Sequence, residues 1–139
     1  IDLGRVNEYA TWVKTLGYIE VSDADLDNAT YEAAEKQYLE SNTEKAITQF
    51  NNYINQFANG LHALQAHFYL AQLYYKKDLG SNAVAHYKYV VEASQNEFTE
   101  EALLRLGQFY LEQKNSNEAL PILLRLEQEA NFPQNIILM

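Results

Sequence analysis

The sequence predicts an all-α solenoid, a stack of antiparallel helix pairs, from three observations. A block that contains a small residue returns after 37 and then 36 residues, and in the second and third copies it ends on a tyrosine. A second small residue follows the first after 12 positions in every copy. Apolar residues within the blocks recur at three- and four-residue spacing, which is typical of amphipathic helices. A period of this length indicates stacked supersecondary units.

Two series of small residues mark where the helices of each unit cross. They are Ala34, Ala71 and Gly107 in the first helices and Ala46, Ala83 and Ala119 in the second. A small side chain lets two helix backbones approach closely, and tight packing gains dispersion and burial. A larger residue at Ala71 or Gly107 is therefore expected to overpack the crossing.

The elements follow one another as half a unit, three full units and a stub. Residues 1–18 are interpreted as the second helix of an upstream unit, with the helix itself near 5–16. The three full units are predicted at 19–58, 59–95 and 96–131, and 132–139 is interpreted as the start of a fourth. Six helices are expected over 23–130, with turns near 41–43, 58–61, 78–81, 94–98 and 114–117.

Several residues at the predicted helix starts are of types that favour helix N-termini. Ser22 with Asp25 is a candidate cap for the first helix, and Thr99, followed by two glutamates, is a candidate N-cap for the fifth. Pro121 falls early in the last helix, where the loss of one backbone hydrogen bond is tolerated.

These repeated residues resemble the tetratricopeptide repeat. The segment 103–110 reads Leu-x-x-Leu-Gly-x-x-Tyr and is followed by Ala119 and Leu123, and the segment 67–74 reads His-x-x-Leu-Ala-x-x-Tyr. The first copy departs from the pattern at Thr30 and Gln37, and the closing proline is missing throughout. The family's unit is about 34 residues, and the longer spacer here resembles its periplasmic, outer-membrane-associated branch and long repeat proteins of Bacteroidetes.

The resemblance implies a right-handed superhelix that acts as a non-catalytic scaffold for protein interactions. It also favours a bacterial periplasmic or outer-membrane-associated location over a cytoplasmic one. No run of about 18 apolar residues is present, so no membrane span is expected. The absence of cysteine fits either compartment and excludes disulfides and thiolate metal sites.

Charge and motifs exclude several function classes. A net charge of −9 argues against nucleic-acid binding, which needs clustered cations. No metal-binding histidine motif, nucleophilic serine motif or glycine-rich phosphate loop is found. We interpret His67 as a packed residue and His62 and His86 as surface residues. No catalytic set, metal site or cofactor is therefore expected, and the protein is not predicted to be an enzyme.

The resemblance further implies that the first helices line a concave groove for a peptide or helix of a partner protein. By register, the inward positions are Asn28, Tyr31, Glu35, Tyr38, Gln65, Phe68, Gln72, Tyr75, Glu101, Leu104, Gln108 and Leu111. Aromatic and amide side chains with few charges are what protein interfaces favour. For any single residue, core packing is the default interpretation; for the whole stripe, we favour binding. The family's clamp for C-terminal carboxylates needs Lys and Asn at places that this chain fills with other residues.

Two other functions stay open at this point. The first is a structural spacer within a longer repeat array of the cell envelope, which low exposure of Tyr31 and Phe68 would favour. The second is an enzyme of helical fold, which would need a pocket with converging titratable groups.

Both ends are expected to expose apolar faces if the array has been cut within a unit, since terminal repeats need a polar cap. The residues concerned are Val6, Tyr9 and Val13 at one end and Leu120, Leu124 and 136–139 at the other. Self-association through these ends is therefore expected.

Overall fold

A computed structural model describes residues 22–129, which form six α-helices. They are α1 (Asp23–Leu39), α2 (Thr43–Gln56), α3 (Ala63–Lys76), α4 (Gly80–Glu92), α5 (Thr99–Glu112) and α6 (Ser116–Glu129). No strand occurs between residues 22 and 129. The all-α fold and the five predicted turns are confirmed, whereas the predicted helix near 5–16 and the stub at 132–139 lie outside the described residues.

Three helices end in the same hydrogen-bonded turn. In α1 the amide of Asn42 donates to the carbonyl of Gln37, and the amide of Ser41 donates to the carbonyl of Tyr38. This pattern is a Schellman motif, which places one residue in the left-handed backbone region. Ser41, Asp78 and Lys114 occupy that place after α1, α3 and α5, with φ of 62°, 60° and 58°. They repeat at the same 37- and 36-residue spacing as the helices.

The chain divides into two compact units between Leu73 and Tyr74, near the end of α3. This division falls inside the predicted repeat 59–95, and the predicted repeat boundaries stay predictions. In the first unit, α1 packs against α2. Ala34 and Ala46 are fully buried at 0% exposure, as their assignment to the crossing requires. Phe50 is equally buried and belongs to the core of this unit.

In the second unit, α5 packs against both α6 and α4. The backbone at Gly107 lies so close to α6 that an added Cβ would stand 2.5 Å from Cδ2 of Leu123. Ala119 and Leu126 of α6 are buried, whereas Leu123 is half-buried. The predicted role of Gly107 at a close helix crossing agrees with this geometry.

Of the two predicted N-caps, Ser22 is confirmed and Thr99 was wrong. The Ser22 hydroxyl accepts from the amide of Asp25 at 3.1 Å, as expected for an N-cap. Thr99, however, is the first residue of α5 and not its cap. Its buried hydroxyl accepts from the amide of Asn96 at 2.9 Å, so it closes the preceding turn. Pro121 lies inside α6 without interrupting it.

Candidate functional site

Tyr31 of α1 is the central aromatic residue of the predicted surface in the first unit, and it is only 6% exposed. Its hydroxyl donates to Oε2 of Glu35 at 2.8 Å. Burial, followed by the neighbouring carboxylate, raises the pKa of Tyr31 well above its usual range. The hydroxyl therefore stays protonated and serves as a hydrogen-bond donor. Glu35 itself is half-exposed.

His62, in the connection before α3, belongs to the same site. Its ring stacks on Tyr31, with centroids 4.2 Å apart and planes inclined by 15°. Nε2 lies 2.7 Å from Oδ1 of Asn28, one of the predicted surface residues. The interpretation of His62 as a plain surface residue was wrong, because a histidine in a connection can fold back over the neighbouring helix.

Tyr38 lies at the other end of α1 in an aromatic cluster. Its ring centroid is 4.7 Å from that of Tyr69 on α3 and 6.5 Å from that of Phe50 on α2. Tyr38 thus packs against α2 and α3, and its side chain is half-buried. The side chain of Tyr38 is therefore partly packed and partly accessible.

Buried polar contacts connect α1, α2 and the α2–α3 connection in the first unit. The repeat pattern did not predict them. The hydroxyl of Tyr53 donates to Oδ1 of Asp27 at 2.6 Å, and Asp27 is 4% exposed. The amide of Leu61 donates to Oδ2 of the same carboxylate at 2.9 Å, and the amide of His62 donates to the Tyr53 hydroxyl at 2.9 Å. We call Asp27, Tyr53, Leu61 and His62 the polar clasp. It fixes the α2–α3 connection, and therefore the ring of His62, against α1.

The α3 residues of the predicted surface differ in accessibility. Phe68 is 8% exposed and packs beside Tyr69, with ring centroids 5.9 Å apart. Gln65 and Gln72 are half-exposed. The accessible part of this helix is therefore amide rather than aromatic. Low exposure of Tyr31 and Phe68 is the observation expected for a structural spacer.

Arg105 organises the predicted surface in the second unit. Its Nε donates to Oε1 of Glu101 at 2.8 Å, and its Nη1 donates to Oε1 of Gln108 at 3.2 Å. The guanidinium carbon lies 5.8 Å from the ring centroid of Tyr75. The Tyr75 hydroxyl is 3.5 Å from Oε1 of Glu112. The repeat register predicts Tyr75, Glu101 and Gln108 on one face, but it does not predict the contacts that Arg105 makes with all three.

Tyr75 is partly desolvated by this arrangement. Burial, and then the Glu112 carboxylate, raise the pKa of Tyr75, while Arg105 acts in the opposite direction. The remaining two predicted residues behave differently from each other. Leu104 is buried at 5% exposure, whereas Leu111 is 48% exposed. Leu104 therefore belongs to the core, and Leu111 is open to a partner.

His86 of α4 is also not a plain surface residue. It is half-buried, and its ring stacks on Tyr74 with centroids 5.8 Å apart and an inclination of 15°. Burial lowers the pKa of His86, because desolvation disfavours the charged imidazolium. No pattern in the sequence predicts this burial, because it depends on contact with the neighbouring helix. Nearby on the same helix, a hydrogen bond to Tyr110 raises the pKa of the exposed Lys88.

The described residues contain no cluster of three or more His, Asp or Glu side chains able to hold a metal ion. Nor does any helix between residues 22 and 129 have the length and apolar character to cross a membrane. The chemistry offered at the surface is that of amides, carboxylates, one arginine and tyrosine hydroxyls.

Comparison with protein families agrees with this architecture. A family model described as a tetratricopeptide repeat-like domain matches residues 8–135, which is most of the chain. Domains of this family typically mediate protein interactions, and the family is generally non-catalytic. A search of curated proteins found no match.

Proposed function

Because the chain belongs to the tetratricopeptide repeat-like family, we propose that it is a non-catalytic scaffold that binds a peptide or helix of a partner protein through its first helices. The observation that carries this proposal is the accessibility of polar residues at the predicted positions. Asn28, Glu35, Gln65 and Gln72 are half-exposed in the first unit, and Glu101 and Gln108 are half-exposed in the second.

Buried or partly buried side chains hold these accessible polar residues in place. Tyr31 holds Glu35 by a hydrogen bond of 2.8 Å and carries the stacked ring of His62. In the second unit, Arg105 holds Glu101 and Gln108. Side chains held in this way lose less conformational entropy when a partner binds, which favours affinity. The aromatic residues therefore act as a base for polar recognition rather than as the contact surface itself.

A structural spacer within a cell-envelope repeat array is the second candidate function. The low exposure of Tyr31 and Phe68 favours it. The spacing between repeats motivates a periplasmic or outer-membrane-associated location for either function. Cell fractionation of the native host would test that location, and recovery in the cytoplasmic fraction would count against it.

Site-specific photo-cross-linking separates the scaffold from the spacer. A photoreactive amino acid is placed at Gln72 or Gln108 in the protein expressed in its native host. Matched control positions are Asn52 of α2 and Asn82 of α4, which are exposed on second helices. The scaffold predicts a defined cross-linked partner from Gln72 and Gln108 but not from the controls. Absence of any such product, or equal products from all four positions, would favour the spacer.

A further inference from the structure

The connection between α2 and α3 contains Asn59 followed by Gly60, the only Asn-Gly pair in the sequence. Both residues lie outside the helices, and Asn59 is exposed. Its side chain has no hydrogen-bond partner among residues 22–129. No described contact therefore prevents the Asn59 side chain from turning toward the backbone amide that follows it.

An asparagine before a glycine can convert spontaneously through a cyclic imide. The backbone nitrogen of Gly60 attacks Cγ of Asn59, and the Cγ–Nδ2 bond breaks as ammonia leaves with the proton of the Gly60 amide. Water then opens the ring at one of its two carbonyls. Opening at the side-chain carbonyl gives aspartate, and opening at the backbone carbonyl gives isoaspartate. Glycine favours the attack because it has no Cβ beside the nitrogen and its backbone is little restricted.

The polar clasp requires a glycine at this place. A Cβ added to Gly60 would lie 2.6 Å from Oδ2 of Asp27 and 2.6 Å from the hydroxyl of Tyr53. Any side chain would displace these two groups. The clasp and the reactive pair are therefore built from the same stretch of backbone.

In the closed connection, the nitrogen that would attack is engaged. The Gly60 amide donates to the carbonyl of Phe57 at 2.9 Å. The next two amides, of Leu61 and His62, are held by the polar clasp. Because the Gly60 nitrogen must leave its hydrogen bond and move toward Asn59, the reaction requires local opening of the connection.

Isoaspartate at residue 59 is incompatible with a closed clasp. The backbone gains one carbon atom before Gly60, which shifts the amides of Leu61 and His62 away from their acceptors. The reaction also creates a carboxylate. Asn59 and Asp27 line the same cavity of about 480 Å³, so the new carboxylate repels the buried one.

We propose that Asn59 is a site of spontaneous deamidation that the polar clasp controls, and that isoaspartate there releases the ring of His62 from Tyr31. The clasp holds the His62 backbone amide, while the ring stacks on Tyr31 at 4.2 Å and contacts Asn28 at 2.7 Å. Displacement of the backbone therefore breaks both ring contacts. The modification changes one edge of the first-helix surface, but it does not depend on whether that surface binds a partner.

The first test measures the rate of conversion in the 139-residue chain at pH 8. Mass spectrometry follows the tryptic peptide 46–76, fragmentation places the product at residue 59, and chromatography separates the isoaspartyl from the aspartyl form. The wild type should convert at least about fivefold more slowly than a synthetic peptide of residues 55–64. Tyr53→Phe should convert at least about fivefold faster than the wild type, because the clasp has lost a buried hydrogen bond.

Asn115 provides the internal control. It is exposed and is followed by Ser116, and its Oδ1 accepts from the amide of Glu118 at 3.3 Å. It lies outside the first unit. Its rate of conversion should be the same in the wild type and in Tyr53→Phe, which separates local opening of the connection from unfolding of the whole chain.

The second test is proton NMR of the isoaspartate form after chromatographic separation. The ring current of Tyr31 shifts the signals of the stacked His62 ring, which are identified by their loss in His62→Gln. In the isoaspartate form, these signals should move to the positions of an unstacked histidine. Asn59→Gln, whose longer side chain cyclises far less readily, is incubated in the same way and should keep the shifted signals.

Any of three results would overturn the proposal. One is conversion of the wild type as fast as the synthetic peptide, and another is an equal rate in Tyr53→Phe and the wild type. The third is an isoaspartate form whose His62 signals are those of the unmodified protein.

Discussion

Asp27 and Tyr53, 26 residues apart on α1 and α2, are joined by a buried hydrogen bond of 2.6 Å. The carboxylate also accepts from the amide of Leu61. At the equivalent places in the later copies stand Leu64 with Val90, and Glu100 with Leu126. The polar clasp is therefore particular to the first copy, the one whose repeat residues match the family pattern least.

Tyr53→Phe should destabilise the protein by about 1–3 kcal/mol, because it leaves a buried carboxylate oxygen and the His62 amide without their partner. Chemical denaturation followed by circular dichroism measures the free energy of unfolding. Tyr38→Phe is the matched control, since among the described residues its ring makes packing contacts with Phe50 and Tyr69. Equal effects of the two substitutions would show that the clasp contributes nothing particular.

Gly107→Leu and Ala71→Leu should each cost about 1–3 kcal/mol by overpacking. At Gly107 an added Cβ already meets Leu123, and Ala71 is 0% exposed. Gln72→Leu, at the half-exposed neighbouring position, should have little effect. Thermal unfolding compares the three variants. Identical melting temperatures would mean that the assigned crossing positions are incorrect.

Ser41→Gly and Lys114→Gly should each stabilise the protein by about 1 kcal/mol. Their φ values of 62° and 58° lie in the left-handed region, which glycine adopts without a Cβ clash. Gln113→Gly is the control: its φ of −82° gains nothing from glycine, and the added freedom of the unfolded chain should lower stability. A loss of stability in all three variants would contradict the assigned turn geometry.

Stability should fall as the pH drops below about 6.5, in part because of His86. Burial lowers its pKa in the folded protein. At a pH between the pKa of His86 in the folded protein and its value in the unfolded chain, the unfolded chain binds more protons. The free energy of unfolding therefore rises with pH over that window. Above the window, His86 no longer makes it depend on pH. His86→Phe keeps a ring on Tyr74 and should reduce the decrease. Denaturation curves at pH 5.5 and 7.5 measure the decrease in the free energy of unfolding. If the decrease is the same in the variant and the wild type, His86 does not contribute to it.

The helices and their crossings could be predicted because they follow from periodic apolar and small residues. Ala34, Ala71 and Gly107 are all buried as predicted. The candidate site was less accessible to sequence reasoning. Register alone places Tyr31 and Leu104 toward one face, but a helix face is wide enough to include both core and groove, and these two residues pack inside.

Other features were not predictable because they depend on contacts distant in sequence or on atypical residues. His62 reaches Asn28 across 34 positions. The left-handed residues carry side chains where glycine would have marked the turn. Arg105 stands where the earlier copies have Tyr69 and Glu32, so no repeat pattern predicts its contacts.

Binding of a partner by the first helices can be measured as the affinity for the partner that photo-cross-linking identifies. The dissociation constant is measured for the wild type, for Gln72→Arg with Gln108→Arg, and for the matched control Asn52→Arg with Asn82→Arg. We expect at least about tenfold weaker binding for the first variant, because bulky charged side chains then stand at the contact surface. We expect no more than about a twofold change for the control. Unchanged binding by the first variant, or an equal loss in the control, would contradict the proposed binding by the first helices.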